Sequence, residues 1–121
     1  SIMVIENDEG FQFYIKFVLQ RDFPDVSVVQ AHDGGEALDY LNNSDNQDPD
    51  IILLDLNMFG VNGFEFLDEW KENHMDKKTQ IFVLTSSDDE DDRKKVKSYS
   101  FVKDYLLKPI DESDLRTLLA A

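Results

Sequence analysis

Short apolar runs alternate along the whole chain with segments whose apolar residues recur at helical spacing. The predicted strands are Ile2 to Ile5, Val26 to Gln30, Ile51 to Leu54, Ile81 to Thr85, and the run Tyr105 to Leu107. Strands that alternate with helices form βαβ units, in which the strands lie parallel and helices cover both faces of the sheet. The sequence therefore predicts an α/β fold, with one doubly wound, five-stranded parallel sheet and five helices.

The first predicted helix has the clearest pattern. Its apolar stripe consists of Phe11, Tyr14, Ile15, Val18 and Leu19, and the helix ends before Pro24. Phe13 and Phe17 lie four residues apart on the same helix. They either widen the stripe or form a docking patch for a partner, and we expect the first of these.

Length and charge limit the function classes. The chain has 121 residues, of which 41% are hydrophobic, and this is enough for one domain spanning residues 1–121 but not for two. With 26 acidic residues against 12 basic ones, the formal net charge is -14. Because this field repels phosphates and anionic lipids, we expect no binding to nucleic acid or to a membrane.

The composition also indicates a compartment. Without cysteine the chain has neither disulfides nor thiolate metal sites, which is typical of a reducing environment. No apolar stretch approaches the roughly 20 residues that a membrane helix needs. We therefore expect a soluble, cytoplasmic protein.

Polar residues stand where the predicted strands end. Asp55 follows an unbroken apolar run, and Lys108 follows the last strand. The residues after the first strand are Glu6, Asn7 and Asp8. Because the carboxyl ends of parallel strands meet at one edge of a sheet, we expect these side chains to share one crevice.

The chemistry of this group favours phosphoryl transfer. A cluster of carboxylates repels itself unless a cation is present, and Mg²⁺ prefers a few carboxylates together with water and phosphate oxygens. A carboxylate beside such an ion can act as a nucleophile and form an aspartyl phosphate, and Asp55 is the candidate. Lys108 would stabilise the transferring group, and Thr85 adds a hydroxyl at a neighbouring strand end.

These residues resemble the receiver domains of response regulators in two-component signalling, whose fold is the flavodoxin-like fold of the bacterial chemotaxis regulator. The resemblance spans nearly the whole chain. The phospho-acceptor motif of the family resembles the segment from Asp55 to Phe59 together with Gly63, although Phe59 stands where the family usually has proline. The resemblance implies that Asp55 accepts a phosphoryl group from a sensor histidine kinase or a histidine phosphotransfer protein.

The resemblance also implies roles for other residues. Thr85 falls on the hydroxyl residue of the family's switch, and Tyr105 falls on its switch aromatic. Lys108 falls on the family's Lys-Pro pair, and Asn57 would give a backbone carbonyl to Mg²⁺. Phosphorylation would then change a surface that an unknown downstream protein recognises. Such a domain is a signalling module rather than an enzyme that turns over a separate substrate.

One departure from the family concerns the metal. The resemblance implies an acidic pair after the first strand, but here Glu6 is followed by Asn7, an amide. Losing a formal charge weakens Mg²⁺ binding unless Asp8 compensates. The alternative is therefore a degenerate receiver that binds proteins without phosphorylation. A phosphatase with an aspartyl nucleophile is disfavoured because Asn57 stands where the second aspartate is needed, and flavin binding is disfavoured by the acids after the first strand.

Overall fold

The computed structural model describes residues 1–56, 62–86, 89–108 and 110–120. Within these residues the strands are β1 (Ile2–Ile5), β2 (Val28–Ala31), β3 (Ile51–Leu54), β4 (Gln80–Thr85) and β5 (Val102–Leu107). The helices are α1 (Glu9–Asp22), α2 (Gly34–Asn42), α3 (Gly63–Asn73), α4 (Glu90–Lys97) and α5 (Glu112–Ala120). The predicted alternation of five strands and five helices is confirmed, although β2 begins two residues later than expected and β5 begins three residues earlier.

The five strands form one parallel sheet in the order β2-β1-β3-β4-β5. The chain therefore places β2 on one side of β1 and then crosses over to place β3 on the other side of β1. The last residues of β1 and β3, Ile5 and Leu54, are register partners. Open parallel sheets bind ligands at such a reversal of strand order, outside the carboxyl ends of the strands.

Two hydrophobic layers sandwich the sheet because successive strand residues point to opposite faces. In β3, Ile52 and Leu54 belong to the layer under α2, α3 and α4, whereas Leu53 belongs to the layer under α1 and α5. All three side chains are almost completely buried. A strand that is apolar on both faces needs this double cover, which explains the unbroken apolar run.

The helices begin at capping residues that the sequence provides. Asp33 caps α2, and its carboxylate accepts a hydrogen bond from the amide of Glu36 at 2.7 Å. Asn62 caps α3 and forms a reciprocal capping box with Glu65. These caps fix where each helix leaves the edge of the sheet.

The outer face of α1 differs from our expectation. Phe13 is 75% exposed and Phe17 is 54% exposed, so the prediction that they extend the core is wrong. Residues 13 and 17 lie on the side of the helix opposite to Ile15 and Val18, which are fully buried. A helix that packs on one sheet buries only one stripe, and this stripe was already complete.

Charged side chains connect α1 to α5. The Arg21 guanidinium lies 2.5 Å from a carboxylate oxygen of Glu112, and Arg116 lies 3.2 Å from Asp22. Arg21 also pairs with Asp22 beside it at 3.0 Å. We call these four residues the α1–α5 network. Among the described segments, no helix is long and apolar enough to cross a membrane.

Candidate functional site

The polar residues at the strand ends are fixed by backbone hydrogen bonds that continue the sheet ladder. The amide of Glu6 donates to the carbonyl of the last residue of β2 at 2.9 Å. The amide of Asp55 donates to the last residue of β1 at 3.0 Å, and that of Lys108 to the last residue of β4 at 2.8 Å. Each side chain therefore starts from a rigid position at the carboxyl edge of the sheet.

Three of these side chains meet in one crevice. The Lys108 ammonium contacts Oε1 of Glu6 directly and lies 3.8 Å from Oδ2 of Asp55. The side chains of Glu6, Asp55 and Lys108 are only 2%, 8% and 18% exposed. We call these three residues the site triad. Buried charges are costly unless they are paired, and this triad sets two carboxylates against one ammonium.

Burial changes the acid–base behaviour of the lysine. It lowers the pKa of Lys108 from the usual 10.5 to about 8. The two neighbouring carboxylates favour the charged form and oppose this shift. At neutral pH the lysine therefore keeps its proton and supplies a positive charge in a poorly solvated place.

An aromatic ring lies against the same ammonium. Nζ of Lys108 is 4.1 Å from the centroid of the Phe11 ring, well within the range of a cation–π contact. The sequence pattern assigned Phe11 only to the core stripe of α1. No sequence signal would have found this contact, because Phe11 and Lys108 lie far apart in the chain.

Gln12 is a second residue that the sequence analysis missed. Its side chain is only 4% exposed, and Nε2 lies within 3.1 Å of the backbone oxygens of Val4, Glu6 and Ala31. The amide therefore ties the carboxyl ends of β1 and β2 to α1. The available signal was a polar residue three positions before Ile15, on the inward face of an amphipathic helix.

The two residues after Glu6 are less buried than Glu6 itself. Asp8 is exposed and caps α1, where its Oδ1 accepts hydrogen bonds from the amides of Gly10 at 2.8 Å and Phe11 at 3.2 Å. Asn7 is half-buried. Asn57, for which a backbone contact to the metal was expected, lies outside the described residues.

The carboxylates of the crevice suit a hard cation. Within the described ranges, no group of three His, Cys, Asp or Glu side chains is close enough to hold a metal ion. The buried carboxylates of Glu6 and Asp55 remain, and they already share one cation, Lys108. Mg²⁺ needs only one or two protein carboxylates when water and phosphate oxygens complete its coordination, so this donor set fits it.

The expected switch residues lie on the neighbouring strands. Thr85 is completely buried at the end of β4. Tyr105 is half-buried in β5, and the Arg93 guanidinium of α4 lies 5.3 Å from the centroid of its ring. The ring of Tyr105 thus links β5 to α4.

The fold and the site define a class of signalling module, and comparison with known proteins identifies the family. The sequence profile of the response regulator receiver domain matches residues 2–120. The chain therefore belongs to the receiver domains of two-component response regulators.

Individual relatives are similar to the chain in sequence or in structure. The nitrate/nitrite response regulator protein NarL of Escherichia coli K12 is 37% identical over 116 residues, which cover 95% of this chain and 50% of NarL. This chain thus spans about half the length of that curated relative. The phosphorylated cyanobacterial phytochrome response regulator RcpA superposes with a TM-score of 0.83 at 30% identity, over 98% of this chain and 86% of RcpA. The Mn²⁺-bound response regulator Rcp1 gives a TM-score of 0.81 at 30% identity, over 98% of this chain and 87% of Rcp1.

Proposed function

We propose that this chain is a single receiver domain, residues 1–121, in which Asp55 accepts a phosphoryl group. The observation that carries the proposal is the site triad. Asp55 stands at the end of a buried strand, Lys108 lies 3.8 Å from its carboxylate, and Glu6 brings a second carboxylate to the same ammonium. A carboxylate held this way is a nucleophile with a neighbouring cation that stabilises incoming phosphate charge.

The chemical step is a transfer from phosphohistidine. A carboxylate oxygen of Asp55 attacks phosphorus, the P–N bond breaks, and its electron pair remains on the imidazole nitrogen. The transferring phosphoryl group carries its negative charge on three oxygens, and the Lys108 ammonium binds this charge. The donor in this proposal is a sensor histidine kinase or a histidine phosphotransfer protein in the cytoplasm.

Mg²⁺ is the metal that this donor set fits. Glu6, Asn7 and Asp55 would hold it, with the backbone carbonyl of Asn57 as a further ligand. Asp8 uses Oδ1 as the cap of α1, which leaves Oδ2 for the metal shell. When bound, the ion offsets the repulsion between the carboxylates and the phosphoryl oxygens.

The output is a change on the surface of α4 and β5. Phosphorylated Asp55 carries extra negative charge and strong acceptor oxygens, which draw the Thr85 hydroxyl toward them. Tyr105 then changes its packing against Arg93, from which it is separated by 5.3 Å in this structure. A downstream protein that contacts α4 and β5 recognises the difference.

The direct test is the intact mass after incubation with acetyl phosphate and Mg²⁺. We expect a gain of one phosphoryl group in the unmodified chain and no gain in Asp55→Asn. An equal mass gain in the two proteins, or no gain in either, would reject the proposal and favour a degenerate receiver that binds its partner without phosphorylation.

A calorimetric titration tests the metal. We expect saturable Mg²⁺ binding that Asp55→Ala removes. Because Asn7→Asp adds a formal negative charge beside Glu6, this variant should bind Mg²⁺ more tightly. Binding that is indifferent to both substitutions would place the ion elsewhere.

A further inference from the structure

The Lys108 ammonium is enclosed on three sides by groups of different character. Glu6 contacts it directly, Asp55 lies 3.8 Å away, and the Phe11 ring lies 4.1 Å from it. The two carboxylates exceed the charge of the lysine, so a third acid in the place of the ring would increase the repulsion. An aromatic face attracts the cation without adding a formal charge or accepting a proton.

Two contacts fix the position of Phe11, one through its backbone and one through its ring. The backbone amide of Phe11 donates to the capping carboxylate of Asp8 at 3.2 Å, which fixes the first turn of α1. Its ring packs against Tyr14 at a centroid distance of 6.3 Å. The Tyr14 hydroxyl donates to the carbonyl of Ile110 at 3.3 Å, two residues after Lys108. The aromatic pair thus connects α1 to the segment that carries the lysine.

This placement matters because the crevice is open next to the lysine. A cavity lined by Phe11, Tyr14, Ser86, Lys108 and Ile110 opens to solvent beside α1. A lysine has a long, flexible side chain that otherwise extends its ammonium into water. A ring over the ammonium keeps it beside the carboxylates, where a transferring phosphoryl group arrives.

We propose that Phe11 is a positioning residue, whose ring holds the Lys108 ammonium over Asp55 through a cation–π contact and thereby accelerates phosphoryl transfer. The inference rests on the role of Lys108 in the proposed function. The effect of Phe11 should depend on the electron density of its ring and not only on the volume of the ring. An apolar residue of the same shape with a less negative face should therefore serve less well.

Ring fluorination tests this distinction, because it withdraws electrons from the face while it leaves the shape nearly unchanged. We replace Phe11 by mono-, tri- and pentafluorinated phenylalanine and measure the rate of phosphorylation by acetyl phosphate with Mg²⁺. We expect the rate to fall stepwise, by about threefold to tenfold across the series. The matched control is the same series at Phe13, which is 75% exposed on the same helix, and here the rate should stay constant.

A second measurement is independent of phosphorylation. The ring current of Phe11 should shift the ε-methylene proton resonances of Lys108 upfield, and Phe11→Leu should return them to ordinary lysine values. An ordinary position in the unmodified protein would overturn the inference, as would a constant rate across the Phe11 series. If the unmodified chain accepts no phosphoryl group, the proposed function fails, and the lysine resonances still decide whether the ring holds the ammonium.

Discussion

The site triad and the α1–α5 network both pair carboxylates with cations, but they differ in solvent access. In the triad no side chain is more than 18% exposed. In the network the side chains of Arg21, Glu112 and Arg116 are 42%, 40% and 51% exposed, and only that of Asp22, at 19%, is comparable to the triad. The same chemical groups therefore operate in a poorly solvated crevice and on a wet surface of one small protein.

This difference in solvent access changes how strongly the ion pairs of each region interact. Exposed ion pairs gain little, because water screens the attraction and the long side chains lose conformational freedom. The buried triad interacts strongly, but it has an excess negative charge and pays a desolvation cost. A buried charge imbalance of this kind is weak evidence for a stabilising role and is typical of a functional site.

The largest effect should come from removing the cation of the triad. Lys108→Met leaves two buried carboxylates without their ammonium, and we expect the free energy of unfolding to fall by about 3 kcal/mol at pH 7 without metal. Urea unfolding measures it. The control is Lys103→Met on β5, the strand that precedes Lys108, where the lysine is exposed and the change should be small. Adding Glu6→Gln to Lys108→Met should recover part of the loss, and a failure to recover any would contradict the charge argument.

Packing beneath the triad gives the next effect. A Cβ on Gly63 would lie 2.6 Å from Cα of Leu56 and 2.8 Å from the backbone oxygen of Asp55. Because backbone must move to admit it, Gly63→Ala should destabilise the fold by about 2 kcal/mol in the same assay.

The matched control is Gly10 in α1. A Cβ there would lie 3.2 Å from the carboxylate of Asp8, a side chain on the exposed surface. Gly10→Ala should change stability by less than about 1 kcal/mol, because alanine also favours the helix. Equal effects of Gly63→Ala and Gly10→Ala would show that the close approach at Gly63 is unimportant.

The smallest effect should come from the network. The hydrogen bond from Arg21 lowers the pKa of Asp22, so the folded chain binds fewer protons than the unfolded chain in acid. Asp22 therefore contributes stability above its unfolded pKa, and this contribution is lost as the pH falls through the lowered value. Asp22→Asn should change the urea midpoint little at pH 7 and flatten the decline in acid. A loss at pH 7 as large as that of Lys108→Met would remove the contrast between the two regions.

Much of the fold was predictable because it depends on local patterns. Apolar runs bounded by polar residues marked β1 and β3 with their observed limits. The prediction for Phe13 and Phe17 was wrong, because aromatic residues suggested burial while the helix had room for only one buried stripe. Hydrophobicity alone does not state which of two faces a helix buries.

The candidate site was predictable only as a set of residues at strand ends. The sequence indicated that Glu6, Asp55 and Lys108 belong to one edge, since parallel strands bring their carboxyl ends together. It contained no signal for the contact of Phe11 with Lys108, and for Gln12 it indicated only an inward-facing polar residue, not the backbone oxygens that its amide contacts. Those contacts depend on how far α1 sits along the sheet, which packing decides.

The sequence by itself determined the alternation of elements, the helix caps at Asp33 and Asn62, and the residues that end each strand. These features follow from hydrophobic periodicity and from hydrogen bonds between near neighbours. Only the tertiary structure decided which charges are buried together and which ring covers the lysine. Such contacts join residues distant in the chain, and their energies depend on distance and solvent exclusion, which exist only after the layers have packed.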